Sequence, residues 1–352
     1  MNVKPIFKLM VEKKASDLFF APFAPPKIKI DGKIMTVNNL ELTPKQVKQI
    51  AVELMDEQQL DQFMRELELD FAISEPGLGR FRVNVFQQRG NVSMVLRYIT
   101  PDLLTLDELG MPMQMKELVM LRRGLILMVG ATGSGKSTTL AAMINHRNEK
   151  TSSHIITVED PIEFLHPNKQ SIVNQREVGL DTKSYSRALK SAMRAAPDVL
   201  QIGEIRDRES MQSALDMAGT GHLVLGTLHS NNAPETLDRI VNMFPTEQHS
   251  QVFMNLANYL RAILSQRLVR DRTGRRVAAV ELMINTPHIK DLILKGDISE
   301  VKDALRDSGE KGMQNFDEAL LDLYKNGTIT LEEAMSHADS RANLEAKVNF
   351  GG

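Results

Sequence analysis

The feature that constrains this chain most is a glycine-rich run, Gly-Ala-Thr-Gly-Ser-Gly-Lys-Ser, at residues 130–137. It matches the pattern G-x-x-x-x-G-K-[ST], in which glycines let the backbone fold around a phosphate and aim several N–H groups at it. An apolar segment, residues 125–129, precedes the run, and a helix-forming segment follows Lys136. Strand, loop and helix in this order are the context that the motif requires, so the sequence predicts a nucleotide site.

The motif assigns a role to its individual positions. Lys136 is expected to reach the β- and γ-phosphates, and the Ser137 hydroxyl is expected to ligate Mg²⁺. The start of the following helix adds the positive end of its dipole. The predicted cofactors are therefore ATP and Mg²⁺. The predicted nucleotide-binding residues of the loop are Gly130, Ala131, Thr132, Gly133, Ser134, Gly135, Lys136, Ser137 and Thr138.

Apolar runs and helix-forming segments alternate over the part of the chain that follows residue 124. Strands are predicted at 125–129, 155–158, 199–203 and 223–228, and helices at 135–148, 184–195, 208–218 and 233–242. This alternation predicts a mainly parallel sheet whose strands are joined by crossover helices. After about residue 285 the pattern predicts a mostly helical tail.

The first hundred residues carry a different pattern, in which short strands and helices mix. Thr43 and Pro44 mark the N-cap and the first residue of a helix that is predicted to run towards Met64. Strands are predicted at Lys27–Ile30, Arg80–Phe86 and Val92–Ile99, with turns at Asp31-Gly32 and Arg89-Gly90.

The length of the chain bounds its domain organisation. At 352 residues it is long for one ordinary domain and suits about two. The change of pattern after Thr100-Pro101 places the boundary. We therefore predict an α/β protein with an N-terminal domain at 1–100, a linker at 101–123 and a larger domain at 124–352.

Two predicted strands run into carboxylates. One is followed by Glu159, Asp160 and Glu163, and the other by Glu204. Because ligands bind at the carboxyl ends of parallel strands, these side chains are placed to hold Mg²⁺ and to orient water for hydrolysis. Gly203 stands where many P-loop enzymes carry Asp, which shifts the burden of holding the metal towards the first group.

Two histidines flank the predicted strand at 223–228. His222 precedes it and His229 follows it. A histidine beside apolar residues is more often a structural group than a functional one. At a strand end beside the predicted phosphate site, His229 is placed to sense the γ-phosphate, and from position alone both interpretations stay open.

Composition excludes some classes of protein and argues against others. The chain has no cysteine, so disulfides and Cys-ligated metal centres are excluded. Its 43 Lys and Arg against 45 Asp and Glu, with 5% aromatic residues and no tryptophan, argue against a nucleic-acid motor. The start of the chain lacks a signal-peptide pattern, and the strongly apolar run at 125–129 is far too short to span a bilayer, so we expect a cytoplasmic protein.

The motifs together resemble one family. Residues 130–143, 156–164, 202–207 and 219–233 resemble, in order, the Walker A motif, the Asp box, the Walker B motif and the His box of secretion ATPases. More narrowly, they are similar to the type IV pilus retraction ATPases of the twitching-motility group. The likeness covers nearly the whole chain.

This resemblance implies a PAS-like N-terminal domain, a RecA-like C-terminal domain, and ATP bound between them in a homo-hexameric ring. The ring would work on the inner-membrane pilus platform protein, with only peripheral membrane association at the pilus base. Glu163 matches the glutamate expected to activate water, and Glu204 the glutamate expected at Mg²⁺ or the water. His222 and His229 match the His-box pair, with His222 expected at the nucleotide. The implied metal ligands are Ser137, Glu204 and Glu159, and the implied arginine fingers are Arg82 and Arg97.

Several positions depart from the main retraction enzymes and point to the accessory branch of the group. They are Phe19, Ala131, the segment 288–293 and the tail beyond about Asn343. Two alternatives stay open. One is a pilus-assembly or type II secretion ATPase, although those are usually longer and often carry a four-cysteine zinc insert. The other is an ATP-binding accessory subunit that acts with a paralogous ATPase ring.

Overall fold

The computed structural model describes residues 3–30, 32–100, 102–307 and 312–350. By its contacts the chain divides into two compact units. The first comprises Met1–Asp102 with Glu163–Leu165, and the second comprises Leu103–Ile162 with His166–Gly352. No helix in the described ranges is both long and apolar enough to cross a membrane.

The first unit is built on an antiparallel sheet, which we call the first sheet. Its strands are β1 (Asp17–Phe20), β2 (Lys27–Ile30), β3 (Lys33–Thr36), β4 (Glu68–Glu75), β5 (Gly79–Gln88) and β6 (Asn91–Ile99). Their spatial order is β3-β2-β1-β6-β5-β4. The unit also contains the helices α1 (Lys4–Glu12), α2 (Pro44–Leu54) and α3 (Glu57–Glu66). Apolar side chains of α1, α2 and α3 form one core with alternate residues of β5 and β6.

The prediction of one helix from Thr43 towards Met64 is wrong in its extent, because the structure has two helices there. Thr43 caps the first as predicted, and its hydroxyl accepts a hydrogen bond from the Gln46 N–H at 3.3 Å. Met55 is extended, and Asp56 then starts a second capping box. The predicted β2 is confirmed residue for residue, and β5 and β6 are each slightly longer than predicted. Asp31, half of a predicted turn, lies outside the described residues.

The second unit is built on a mainly parallel sheet, the second sheet. Its strands are β7 (Gly124–Val129), β8 (His154–Glu159), β9 (Ile172–Glu177), β10 (Val199–Ile202), β11 (Leu223–Leu228), β12 (Leu260–Arg270) and β13 (Arg276–Ile284). Their order is β13-β12-β7-β11-β10-β8-β9, and only the β12–β13 pair among the described strands of this sheet is antiparallel. Apolar clusters cover both faces, and β7 and β11 are buried along their whole length.

Helices cover this sheet and extend beyond it. They are α4 (Gln114–Val119), α5 (Lys136–Lys150), α6 (Tyr185–Ala192), α7 (Arg208–Gly219), α8 (Ala233–Asn242), α9 (His249–Tyr259), α10 (Pro287–Lys295), α11 (Ile298–Asp307), α12 (Phe316–Lys325), α13 (Leu331–His337) and α14 (Arg341–Phe350). The predicted alternation of strands and helices from β7 to α8 is confirmed except that an additional strand, β9, follows β8 without a helix between them. Most of the segment predicted as a linker, 101–123, belongs to the second unit, where α4 buries Met115, Leu118 and Val119.

Candidate active site at the carboxyl edge of the second sheet

The P-loop joins β7 to α5 and lies at the edge where the parallel strands of the second sheet end; we call this edge the carboxyl edge. The loop turns on glycines in the left-handed region, with φ of 79° at Gly133 and 87° at Gly135, which is the N-cap of α5. The buried Lys136 folds back over the loop, and its Nζ donates to the carbonyl oxygens of Gly130 at 2.7 Å and Ala131 at 3.0 Å. The ammonium group is therefore held at the centre of the loop.

The residues of this loop fit a bound phosphate. The start of the 15-residue helix α5 directs its unpaired N–H groups and its positive dipole end at the same place as the Lys136 ammonium. The Ser134 hydroxyl is buried, yet no hydrogen-bond partner for it is found among the described residues. Buried polar groups normally have partners, so this hydroxyl is available to a ligand in the loop.

The donors around the loop also fit a Mg²⁺ ion of the kind that P-loop enzymes use. The described residues contain no group of three or more His, Asp or Glu side chains arranged to hold a metal by themselves. A Mg²⁺ ion bound with a nucleotide needs only one or two protein ligands, because phosphate oxygens and waters supply the others. Ser137, with Glu204 or Glu159, would provide such ligands.

The strand ends beside the P-loop hold the predicted acidic residues in place. The N–H of Gly203 donates to the Val158 carbonyl at 2.7 Å, and the N–H of Ile205 donates to the Thr227 carbonyl at 2.8 Å. The segment after β10 is thus tied to β8 on one side and to β11 on the other. Glu204, which lies between these two bonds, is presented at the carboxyl edge.

Glu204 is an ionised carboxylate with two cationic or polar neighbours. Arg206 Nη2 donates to its Oε2 at 2.7 Å, and His229 Nε2 lies 3.2 Å from its Oε1. The hydrogen bond from Arg206 lowers the pKa of Glu204, and the positive charges of Arg206 and Lys136 act in the same direction against the effect of burial. Glu204 therefore accepts hydrogen bonds at neutral pH.

Glu159 is the last residue of β8 and is buried. The Thr157 hydroxyl donates to its Oε1 at 2.5 Å, and Gln175 Nε2 donates to the same oxygen at 3.2 Å. Thr157 and Gln175 were not among the predicted site residues. Their contacts fix the direction of the Glu159 carboxylate, and Gln175 comes from β9, a strand that the sequence analysis missed.

The structure gives a physical reason for the glycine at the end of β10. A Cβ atom on Gly203 would lie 3.0 Å from the Tyr185 hydroxyl and 3.1 Å from the Cα of Glu159. The space that an aspartate would need is therefore partly filled by Tyr185, the first residue of α6. Burial, followed by the negative charge of Asp160, raises the pKa of Tyr185, so its phenol stays neutral. Sequence reasoning missed Tyr185 because its contact with Gly203 is not local.

The two histidines of the predicted His-box pair lie at opposite ends of β11. The register of β11 on β7 places Leu228 beside Val129, just before the P-loop, and Leu223 beside Gly124. His229 therefore lies at the carboxyl edge, whereas His222 lies roughly 20 Å away, at the opposite end of the strand. His222 Nδ1 is 3.1 Å from the Met217 carbonyl. Within one chain, His222 therefore lies far from the P-loop, and its grouping with the nucleotide-binding residues stays a prediction.

The remaining predicted residues belong to the first unit. Arg82 on β5 and Arg97 on β6 are direct cross-strand neighbours on the first sheet. Arg97 Nε donates to Asp17 Oδ1 at 2.9 Å, and Arg82 Nε lies 3.7 Å from Asp70 Oδ1. The pairing places two positive side chains next to each other on one face. Glu163 is exposed in the segment 163–165 that groups with the first unit, and its role stays a prediction.

Arg206 contacts Glu204 but was not among the predicted site residues. It follows Glu204 by two residues, and its guanidinium contacts the Glu204 carboxylate directly. An arginine so close in the chain to a strand-end glutamate was available as a candidate from the sequence alone.

A P-loop on a buried parallel strand, with an ionised glutamate at the end of the next strand but one, defines the class of this protein: it is a P-loop ATPase. A family model described as "Type II/IV secretion system protein" matches residues 2–279. The chain belongs to this family.

Individual relatives narrow the comparison. The type IV pilus ATPase PilU of Pseudomonas aeruginosa is 49% identical, over 100% of this chain and 92% of its own. The type IV pilus retraction ATPase PilT of the same species is 42% identical, over 98% and 100%. A crystal structure of the pilus retraction motor PilT with bound ADP has a TM-score of 0.92 and 43% identity, over 98% of this chain and 99% of that one.

These findings confirm the predicted resemblance to the retraction group. The identity is higher to PilU than to PilT, as the departures from the main retraction enzymes indicated. The mixed α/β fold with a mainly parallel second sheet and the ATPase activity are likewise confirmed. A pilus-assembly or type II secretion ATPase is not favoured.

Proposed function

We propose that this chain is the subunit of a hexameric, Mg²⁺-dependent ATPase that powers retraction of type IV pili and thereby twitching motility. The observation that carries the proposal is the complete carboxyl edge of the second sheet. There, the Lys136 ammonium lies in the P-loop and the ionised Glu204 lies beside it. Relatives named as pilus ATPases, similar over the whole chain, supply the cellular process.

Each residue of this edge has a chemical task. Bound ATP with Mg²⁺ supplies the phosphoryl group that is transferred to water. The P-loop N–H groups and the Lys136 ammonium bind and orient the phosphates, and the Ser137 hydroxyl is a ligand for the metal. Glu204, ionised and held by Arg206, accepts a hydrogen bond and orients either a metal-bound or an attacking water. His229 contacts the same carboxylate, and Arg239 of α8 donates a hydrogen bond to the His229 carbonyl.

Residues outside this edge complete the proposed mechanism. The resemblance to secretion ATPases assigns Glu163 the role of activating the water, and Arg82 and Arg97 the role of neutralising phosphate charge. Like charges directly opposite on neighbouring strands repel each other. The carboxylates of Asp17 and Asp70 offset part of this repulsion. A bound anion would offset more of the charge on the cross-strand pair of Arg82 and Arg97, which supports a phosphate-binding role for them.

The proposed assembly is a homo-hexamer in the cytoplasm, at the base of the pilus. It would contact the inner-membrane platform protein from outside the bilayer, with only peripheral membrane association and no nucleic-acid partner. A second candidate follows from the higher identity to PilU. In it, the chain is an accessory subunit that acts together with a paralogous retraction ATPase ring.

A complementation experiment tests the proposal. A strain that lacks the gene is complemented with the wild-type chain or with Glu204→Gln, and twitching zones and surface pilin are measured. We expect the wild-type chain to restore twitching and Glu204→Gln to leave assembled pili that do not retract. Loss of surface pili with Glu204→Gln would instead indicate an assembly ATPase. Twitching restored by Glu204→Gln only when the paralogue is present would support the accessory role.

A further inference from the structure

A glutamine on β12 contacts the P-loop from the side opposite to Glu204. Gln266 is only 3% exposed, and both ends of its amide are used. Its Oε1 accepts a hydrogen bond from the Thr139 hydroxyl at 2.8 Å, and its Nε2 donates to the Ser134 carbonyl at 2.8 Å. One side chain thus connects the P-loop to the first turn of α5.

The P-loop is also shaped around Gln266 at both of its ends. A Cβ atom on Gly130 would lie 2.5 Å from the backbone carbonyl oxygen of Gln266, and one on Gly135 would lie 2.8 Å from its side-chain Nε2. The contact at Gly130 is made by the backbone of residue 266, whereas the contact at Gly135 is made by the Gln266 amide itself. The first and last glycines of the motif therefore fit against this one residue.

We propose that Gln266 is a positioning residue of the nucleotide site, which acts through the P-loop and the first turn of α5. The inference rests on the proposed function and deepens it. An amide is the group that this position requires, because it must accept from Thr139 and donate to Ser134. A hydrocarbon would leave the Ser134 carbonyl without its donor, and a carboxylate would place an oxygen against it.

The position of Gln266 predicts which kinetic quantity it controls. The P-loop binds the phosphates of ATP and ADP before and after the chemical step, so a distorted loop weakens substrate, transition state and product alike. Loss of such uniform binding raises the dissociation constant and KM and leaves kcat nearly unchanged. This differs from a residue such as Glu204, whose contacts with water matter during the chemical step.

The test measures the dissociation constant of ADP with Mg²⁺ by titration calorimetry on the purified full-length chain, together with kcat and KM for ATP. For Gln266→Leu we expect the dissociation constant and KM to rise about tenfold or more, with kcat within about threefold. Thr139→Val, which removes one of the two amide hydrogen bonds, should have a smaller effect in the same direction. In the Gln266→Leu background, Thr139→Val should add almost nothing, because the two residues share one interaction.

Gln201→Leu is the matched control. Gln201 is also a buried glutamine of the second sheet, on β10, and its Oε1 has no hydrogen-bond partner among the described residues. This variant should keep the wild-type dissociation constant, and the melting temperature of every variant without nucleotide reports on folding. If Gln266→Leu does not fold, Thr139→Val decides.

Three results would overturn the inference, and a fourth would affect the function itself. ADP affinity unchanged in Gln266→Leu and Thr139→Val, an equal loss of affinity in Gln201→Leu, or a fall in kcat without a rise in KM would each exclude the positioning role. In these cases the wild-type chain still binds ADP, so the proposed function survives. Failure of the wild-type chain to bind ADP would contradict the nucleotide site and the proposed function together.

Discussion

The two ends of the parallel strands in the second sheet carry side chains of the same kinds, yet they differ in what those side chains contact. At the carboxyl edge, His229 meets the carboxylate of Glu204 beside the P-loop. At the other end, which we call the amino edge, the ring nitrogens of His154 meet the Ala195 carbonyl and the Asn174 side chain. His222, also at the amino edge, contacts the Met217 carbonyl near the end of the preceding helix, α7.

This difference teaches that the strand end at which a histidine lies, rather than its residue type, decides which groups its ring contacts here. At the amino edge the histidine ring nitrogens form hydrogen bonds with backbone carbonyls and an asparagine side chain, which connect neighbouring elements of the fold. At the carboxyl edge a histidine contacts a charged group that faces the nucleotide site, as expected for ligand binding at the carboxyl ends of parallel strands.

The largest expected effect comes from removing the positive charge of the carboxyl edge. Lys136→Ala should weaken Mg²⁺-ADP binding by about a hundredfold or more, because the β-phosphate loses its main counter-ion, and abolish turnover, because the γ-phosphate of ATP loses it too. Calorimetric titration measures the binding. Lys150→Ala, at the exposed other end of α5, is the control and should bind ADP as the wild-type chain does. Undiminished turnover in Lys136→Ala would refute the active site.

A second test compares the two histidines directly. His229→Asn should lower kcat about tenfold or more, because the contact with Glu204 is lost, whereas His222→Asn should change it by less than about twofold. Steady-state phosphate release by the purified chain measures both. An equal loss in His222→Asn would break the comparison, and it would mean that the amino edge takes part in catalysis, for instance in a neighbouring subunit of the ring.

Arg206 tests the electrostatics of the carboxyl edge. Its hydrogen bond to Glu204 lowers the pKa of that carboxyl group. If ionised Glu204 is the active form, turnover falls as the pH drops through its pKa. In Arg206→Gln this pKa rises, so the acid limb of kcat against pH should move to higher pH. An acid limb that stays in place would show that Glu204 does not set it.

The smallest effect on turnover is expected from a carboxylate at the same edge that only supports the fold. Glu281 on β13 lies beside Ser265, which itself lies beside Val129 of β7. Glu281 Oε1 accepts hydrogen bonds from the Ala233 N–H at 2.9 Å and the Ser265 hydroxyl at 3.0 Å. Glu281→Gln can keep both bonds, so ATPase activity should be unchanged.

The stability of the Glu281→Gln variant should nevertheless depend differently on pH. Burial raises the pKa of Glu281 from an ordinary 4.5 to about 7, although its hydrogen bonds from Ala233 and Ser265 oppose the shift; Asp339 raises it further and Arg267 lowers it. Between these two pH values the folded state binds more protons than the unfolded state, so wild-type stability falls as the pH rises. The loss is about 3 kcal/mol and is complete above pH 7. Chemical denaturation at pH 5 and pH 8 measures it, and an identical pH dependence in Glu281→Gln would contradict this role.

Much of the site could be predicted because its parts are local in the chain. A few consecutive residues are enough to recognise the P-loop, the apolar strand before it, and Glu204 at the end of its strand. The placement of His222 was available too, since it precedes the strand that His229 follows, but the motif resemblance grouped the two together.

The rest depends on contacts between distant residues. Tyr185 fills the space beside Gly203. The Gln266 amide makes its hydrogen bonds with Ser134 and Thr139, which lie more than a hundred residues earlier in the chain. When a polar residue lies in an apolar strand, the sequence does not indicate which distant residue will be its hydrogen-bond partner. Polar residues such as Gln266 also interrupt the apolar pattern of β12, so the sequence analysis did not predict this strand. The end of the first helix at Met55 was missed because it depends on a second capping box at Asp56.

The central claim, that the carboxyl edge hydrolyses ATP, is tested most directly by comparing Glu204→Gln with the wild-type chain in Mg²⁺-ATP turnover and ADP binding on the same preparations. The account predicts that kcat falls about a hundredfold or more while the dissociation constant of ADP changes by less than about threefold. A loss of ADP affinity with turnover otherwise intact would place Glu204 in nucleotide binding and contradict its catalytic role.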